Sequence, residues 1–258
     1  MRILFIGDIM GKAGRKAVEE QLPMLVESYR IDLCIANCEN AAGGFGVTPE
    51  IADQLFEMGI QVLTSGNHIW DKKEILPYLD RQNRLLRPAN YPPETPGTGS
   101  VVCEALSGER VAVLNLQGRI FMECIDCPFQ VADRELPRLR AQTRVIVVDM
   151  HAETTSEKCA MGWHLNGRVS AVVGTHTHIP TADEMILPGG TAYITDVGMT
   201  GPVDSIIGIQ REPALRRFIN RMPQKFDPAK GPGQLQAVLL EIEAEAGRAQ
   251  GITRVRIP

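Results

Sequence analysis

The sequence predicts an α/β protein in which two sheets pack between helices. Three observations carry that reading. Apolar runs are short, rich in Val and Ile, and end in Gly, Asp, Asn or His. Helix-length stretches with one apolar face separate the first runs, and strand-like runs become more frequent later. Hydrophobic residues make up 44% and charged residues 22% of the 258. That balance excludes disordered, collagen-like and coiled-coil chains and is ample for a large core. No low-complexity linker or internal repeat divides the chain, so residues 1–258 read as one domain.

Taken in order, Ile3–Ile6 is the first buried strand candidate and stops at Gly7-Asp8. A helix follows: Val18, Leu22, Leu25, Val26 and Tyr29 share one face, and Pro23 is expected to kink or restart it. Leu33–Ala36 runs into Asn37-Cys38-Glu39-Asn40. Thr48-Pro49-Glu50 is a helix start, a capping hydroxyl followed by Pro at the first helical position, with Ile51, Leu55 and Met58 on the face behind it. Val62-Leu63 stops at Ser65-Gly66-Asn67-His68, and Val145–Val148 at Asp149-Met150-His151. Ala171–Val173 stops at Gly174-Thr175-His176-Thr177-His178. Uninterrupted apolar runs of this length are strands covered on both faces. Val111–Leu116, Ala192–Thr195, Val238–Ile242 and Thr253–Ile257 complete the strand set.

Lys and Arg number 27 against 31 Asp and Glu, a net charge of −4. Overall charge therefore does not draw nucleic acid, and an anionic substrate needs a local positive centre. Arg211, Arg216, Arg217 and Arg221 alternate with apolar residues, as on a solvated helix face. No run approaches the ~20 apolar residues of a membrane span, and Ile3–Ile6 is too short for a signal peptide core. A cytoplasmic protein with no membrane partner and six reduced cysteines is expected. Cys124-Ile125-Asp126-Cys127 has no second pair to close a zinc site, and Pro128 after it departs from a redox motif. The pair reads as structural.

Four of the five histidines belong to one pattern. Asp8, Glu39, Asn40, Asn67, His68, His151, His176 and His178 all lie just beyond the ends of five strand candidates. In open α/β sheets, loops converge on that rim and ligands bind there. His176 and His178, two apart on a segment read as extended, project to one side. Imidazole, carboxylate and amide donors together suit a borderline ion such as Mn, Fe or Zn. The set is too large for one tetrahedral ion and fits two, bridged by a carboxylate. His164, beside Trp163 in a helical stretch, stays outside it.

Other motifs weigh less. The short Gly spacing and Ala13 exclude a P-loop, and no Gly-x-Ser-x-Gly elbow occurs. Gly43-Gly44-Phe45-Gly46 either offers backbone N–H groups to phosphate or only turns the chain. Arg15 reads as a solvated arginine within reach of a substrate. Thr181 and Asp183 are candidates to orient His176 or His178. A TIM-barrel metal hydrolase also uses a His-x-His, but near its first strand rather than at 176 and 178.

Gly66-Asn67-His68 and Gly174-Thr175-His176-Thr177-His178 resemble two motifs of the calcineurin-like metallophosphoesterases, the second with one extra residue. Asp8-Ile9-Met10 lacks the His of that group's first motif, and Asn37-Cys38-Glu39-Asn40 replaces its second. Those departures resemble one branch. Gly7-Asp8-Ile9-Met10-Gly11, Glu39-Asn40-Ala41-Ala42-Gly43-Gly44-Phe45-Gly46, Gly162-Trp163-His164 and Gly201-Pro202 through Asp204-Ser205-Ile206-Ile207-Gly208 are similar to the YmdB family of bacterial phosphodiesterases. So are His151-Ala152-Glu153 through Lys158 and Pro180-Thr181-Ala182-Asp183. The resemblance covers nearly the whole chain and weakens around residues 222–258.

The resemblance implies a calcineurin-like αββα sandwich, two mixed β-sheets flanked by helices. It implies hydrolysis of 2′,3′-cyclic nucleotides or related phosphodiesters, with a small-molecule substrate, RNA ends as a further candidate, and a homo-oligomer left open. It also implies two divalent or trivalent ions per chain, Fe or Mn ahead of Zn. Asp8, Glu39, Asn40 and His178 would surround one ion; Glu39, Asn67, His151 and His176 the other; Glu39 would bridge, and His68 would donate a proton. Physical chemistry agrees with this. Two divalent ions, two carboxylates and a bridging hydroxide leave about +1, the positive centre the acidic chain needs. Metal coordination lowers the pKa of water to about 7, which supplies hydroxide as nucleophile. His68 adjoins Asn67 yet belongs to no ligand pair, so it is free to protonate the leaving alkoxide. A regulatory metalloprotein that binds a phosphorylated ligand without turnover uses the same ligands and is the alternative.

Overall fold

A computed structural model describes residues 1–258. Its strands are β1 (Arg2–Ile6), β2 (Asp8–Ile9), β3 (Leu33–Asn37), β4 (Val62–Thr64), β5 (Ser100–Glu104), β6 (Arg110–Gln117) and β7 (Val145–His151). The rest are β8 (Ala171–Thr175), β9 (Met185–Ile186), β10 (Ala192–Ile194), β11 (Met199–Pro202), β12 (Gly233–Glu243) and β13 (Arg248–Ile257). The helices are α1 (Gly11–Tyr29), α2 (Pro49–Glu57), α3 (Leu76–Leu79), α4 (Pro128–Arg140), α5 (Thr155–Leu165) and α6 (Arg211–Asn220).

The strands form two mixed sheets. One has the order β2-β11-β12-β1-β3-β4 with β13 beside β12; the other runs β5-β6-β7-β8-β10-β9. Period-two alternation assigns each side chain to a layer. Ile3 and Phe5 of β1 join Leu33, Ile35 and Val62 against Val113, Val147 and Val173 of the second sheet. Leu4 and Ile6 point the other way, onto Val18, Leu22 and Leu25 of α1 and Leu55 of α2. The outer face of the second sheet carries Leu114, Ile146 and Val148 under Val131 and Leu136 of α4 and Met161 of α5. Both faces of these strands are thus buried, which is why their sequences read as unbroken apolar runs. This is the αββα sandwich with calcineurin-like architecture. Phe5 is completely buried between the sheets, so Phe5→Ala carries a cost of about 3–5 kcal/mol.

Three local expectations met the fold differently. Helix α1 runs unbroken through Pro23. Burial of Val18, Leu22 and Leu25 on the sheet offsets the hydrogen bond that proline removes. Tyr29, at the helix end, is exposed rather than part of the apolar face. The start of α2 is as read: Thr48 Oγ1 accepts from the Ile51 N–H at 3.3 Å, and Pro49 opens the helix.

The short strands β2, β5, β9 and β11 fall outside the strand candidates read from the sequence. Two of them help to position the rim. β2 pairs in parallel with β11, Asp8 opposite Met199, so Asp8 is held in a ladder rather than a loop. The late strand β12 returns to lie antiparallel to β1, with Phe5 opposite Val238. No helix is long and apolar enough to cross a membrane.

Candidate metal centre

The rim residues come from both sheets. Asp8 follows β1, Glu39 and Asn40 follow β3, and Asn67 and His68 open a 3₁₀ turn after β4. From the second sheet, His151 is the last residue of β7, and His176 and His178 lie just past β8. The structure brings Asp8, Glu39, Asn40, His68, His151, His176 and His178 together across the gap between the sheets, with Asn67 next to His68 in the chain. Glu39 Oε1 lies 3.0 Å from His151 Nε2, and Glu39 Oε2 accepts the His68 backbone N–H at 3.0 Å. His176 Nδ1 is 3.0 Å from the same His151 nitrogen. The Asp8 Oδ2 accepts from the His176 backbone N–H at 3.2 Å. His178 Nε2 stands 3.2 Å from Asn40 Oδ1. A cleft of about 350 Å³ opens over them, lined by Glu39, Asn40, His68, Glu153, His176 and His178 among others.

Each imidazole is anchored through its other nitrogen. His151 Nδ1 lies 2.9 Å from Thr175 Oγ1, which donates to the buried Asp149 at 2.7 Å. His178 Nδ1 meets the Ile207 carbonyl at 2.8 Å, and His176 Nε2 meets Glu153 at 3.1 Å. Anchored so, His151 Nε2, His176 Nδ1 and His178 Nε2 are the nitrogens that would offer lone pairs to a cation, His151 once its Nε2 proton is displaced. His178 Nε2 then faces Asn40 Oδ1, acceptor against acceptor, since the Asn40 amide already donates to the Gly44 carbonyl at 3.0 Å.

The charges are tightly linked. Burial works against ionising Glu39, yet His151, through its charge and hydrogen bond, with His68 and His176, holds its pKa down to about 2. Burial likewise works against His151, but Glu39, Asp8 and Asp149 push it up to about 9. His176 is pushed down to about 3 by burial and the neighbouring His151 charge. Burial raises the Asp8 carboxyl and lifts Asp149 to about 6.

The donor set fits metal ions. Ligand atoms of Glu39, His151 and His176 lie within 4.8 Å of one another. Asp8 Oδ1 and Asn67 Oδ1 are buried and have no hydrogen-bond donor, a state that costs free energy unless a cation answers it. Gly66 makes room for the group. A Cβ there would stand 2.1 Å from the His151 ring and 2.6 Å from Glu39 Oε2.

A family model described as YmdB-like protein matches residues 4–255. The chain belongs to the YmdB-like family. It is 49% identical over 257 residues to the 2′,3′-cyclic-nucleotide 2′-phosphodiesterase of Bacillus subtilis, covering 100% of this chain and 97% of that protein. A crystal structure of a hypothetical protein from Thermus thermophilus matches with TM-score 0.94 and 44% identity, covering 100% of both chains. A phosphatase from Mycoplasma pneumoniae matches with TM-score 0.93 and 35% identity, covering 100% of this chain and 93% of that one.

Within this YmdB-like chain, two expectations about the last motif need correction. His176 and His178 are not on an extended segment. Their φ angles are 100° and 66°, a region costly for residues with a Cβ. Both still line the cleft, because a turn rather than a strand points them there. Nor do Thr181 and Asp183 orient them: Thr181 donates to Asp183 at 2.6 Å, and Asp183 accepts from Thr195 instead. The turn is held by Asp196, whose Oδ2 accepts from the Thr177 N–H at 3.1 Å and the Thr177 hydroxyl at 2.8 Å. Lys158, fully buried, donates to the same oxygen at 2.6 Å and to the Thr175 carbonyl at 2.8 Å.

Sequence reasoning missed these supports. Asp149 and Thr175 sit close in sequence to a rim histidine and Asp196 lies just past β10, but their roles depend on contacts between segments. Glu153 and Lys158 stood out only as members of a longer family motif. Arg15 donates to the Ala41 carbonyl and braces the loop carrying Asn40 rather than standing in solvent. Gly43, Gly44 and Gly46 have φ of 68°, 94° and 77°. Their turn delivers Phe45, whose ring meets that of His68 edge-on at 5.0 Å.

Proposed function

We propose that the chain is a metal-dependent phosphodiesterase of 2′,3′-cyclic nucleotides or related phosphodiesters. The observation that carries the reading is the convergence of Glu39, His151 and His176, beside a buried, donor-less oxygen of Asp8, under a cleft that His178 also lines. The activity of the Bacillus subtilis relative supports the substrate class. Asp8, Glu39, Asn40 and His178 would hold one ion, and Glu39, Asn67, His151 and His176 the other. Mixed nitrogen and oxygen donors favour Fe or Mn, with Zn also suited. Bound there, the ions supply a water of lowered pKa and draw charge from the phosphate oxygens.

The remaining work falls to the chain. Glu153, Thr175 with Asp149, and the Ile207 carbonyl keep the three imidazoles in the ligand tautomer. His68 lies on the cleft, and its Nδ1 meets Asp71 at 2.8 Å. Nε2 is then the atom that hands a proton to the departing alkoxide. The Glu39 contact to the His68 backbone ties this acid to the ligand set.

Elemental analysis combined with a panel of phosphoesters tests the reading. Two ions per chain and faster turnover of 2′,3′-cyclic nucleotides than of monoesters are expected. Faster turnover of p-nitrophenyl phosphate than of bis-p-nitrophenyl phosphate and every cyclic nucleotide would mean the substrate class is wrong.

A further inference from the structure

A second cavity, of about 330 Å³, adjoins the metal cleft. Ile207, Ile209 and Phe226 line both, so the two spaces share a wall. The second differs in chemistry. Ile206, Ala214 and Phe218 complete an apolar lining, and its polar members are Arg217 and Arg221. Neither arginine takes part in a salt bridge, unlike Arg211 on the same helix, which pairs with Asp204 at 2.9 Å. Phe218 is 70% exposed, a ring left open on the cavity wall.

Aromatic faces beside unpaired arginines suit a base attached to a phosphate. Bases stack on such rings whatever their identity, and guanidinium forks take phosphate oxygens. We propose that this cavity binds the base of the nucleotide whose cyclic phosphate enters the metal cleft. Arg217 and Arg221 take the phosphodiester 5′ to that base. The preferred substrate is then an RNA end closed as a 2′,3′-cyclic phosphate, rather than a free cyclic mononucleotide. This rests on the phosphodiesterase reading. In the reaction, water oxygen bonds to phosphorus, one ring P–O bond breaks, and the released ribose oxygen takes a proton, leaving a phosphate monoester at the RNA end.

Three substrates separate the parts: methyl riboside 2′,3′-cyclic phosphate without a base, adenosine 2′,3′-cyclic phosphate, and the dinucleotide ApA ending in a 2′,3′-cyclic phosphate. In the metal-loaded protein, kcat/KM should rise at each step. Stacking and phosphate contact each contribute about fivefold or more. Phe218→Ala should reduce the gain on adding the base. The double variant Arg217→Gln, Arg221→Gln should abolish the gain from the mononucleotide to the dinucleotide. All three positions are exposed, so the fold is not at stake. Equal kcat/KM across the three substrates, or gains that survive both variants, overturns the subsite while leaving the phosphodiesterase reading intact. Sedimentation showing a dimer that the Phe218→Ala change dissolves also overturns it. No hydrolysis of any of the three, nor of bis-p-nitrophenyl phosphate, overturns the reading beneath it.

Discussion

His68 and His151 carry different burdens, and each admits a direct measurement. His68 is held to the cluster by its backbone, not its ring. His68→Ala should therefore keep the metal content and lose about 10²–10⁴-fold in rate on a cyclic nucleotide. The loss should be much smaller on bis-p-nitrophenyl phosphate, because nitrophenolate leaves without a proton. Equal losses on both substrates would assign His68 to phosphate charge instead, and lost metal would make it a support of the site. For His151, a metal needs the neutral ring. In the metal-free protein Glu39 and its neighbours hold His151 up at about 9 against the effect of burial. Below that pH, metal entry displaces a proton, so apparent affinity rises with pH and levels off above about 9. Calorimetry in buffers of different ionisation enthalpy counts the proton; uptake at pH 7 that releases none contradicts the assignment.

Among the elements, the turn after β8 is the one most dependent on remote support. Its two histidines hold positive φ angles, and only contacts from other segments keep them there. Lys158 from α5 and Asp196 beyond β10 form a fully buried pair at 2.6 Å, and both touch the turn or its preceding residue. Lys158→Met leaves Asp196 charged and unpaired in the interior, a loss of about 3–5 kcal/mol. Urea unfolding should register that loss, and elemental analysis should show reduced metal occupancy even where the variant is fully folded. A variant with native metal content and native His-rich turn geometry would remove Lys158 from the site's architecture. By contrast, α6 exposes most of its length, so substitutions there should alter substrate preference more than stability.

Seen as a whole molecule, the centre is a clasp between two sheets. Asp8, Glu39 and Asn67 hang from one sheet and His151, His176 and His178 from the other. A metal held by both sets would therefore favour the closed sandwich over any state in which the sheets part. At a metal concentration 100 times Kd the gain is about 2.7 kcal/mol, worth roughly 5–10 °C in a chain of this size. A chelator should lower Tm by that amount, and re-addition of Mn or Fe should restore it. An unchanged Tm after the metals are stripped would argue that the ligands are not shared between the sheets. The interlayer core of Ile3, Phe5, Val113 and Val147 remains in either case, so a lowered Tm rather than loss of fold is expected.

How far the chain could be read without its fold depends on whether a signal is local. Burial on both faces of β1, β3, β7 and β8 leaves its mark inside each segment as uninterrupted Val, Ile and Leu. Strand ends are marked by the polar residues that come after them. Those two local facts suit two sheets between helices and mark the candidate ligands from Asp8 to His178; the calcineurin-like architecture and the sharing of ligands between two ions came from the family resemblance. Periodicity says nothing about partners distant in sequence, however. Only the folded chain brings β12 beside β1, pairs Asp8 with Met199, and sets Glu39 against His151 across the sheets. Pro23 stayed helical because packing outweighed a local preference. The turn at His176 and His178 departs from an extended path because Asp196 and Lys158 hold it. The orientation of three imidazoles, and the apolar cavity that Phe226 shares with Ile207, arise from the same cause: side chains far apart along the chain meet only once the core has closed.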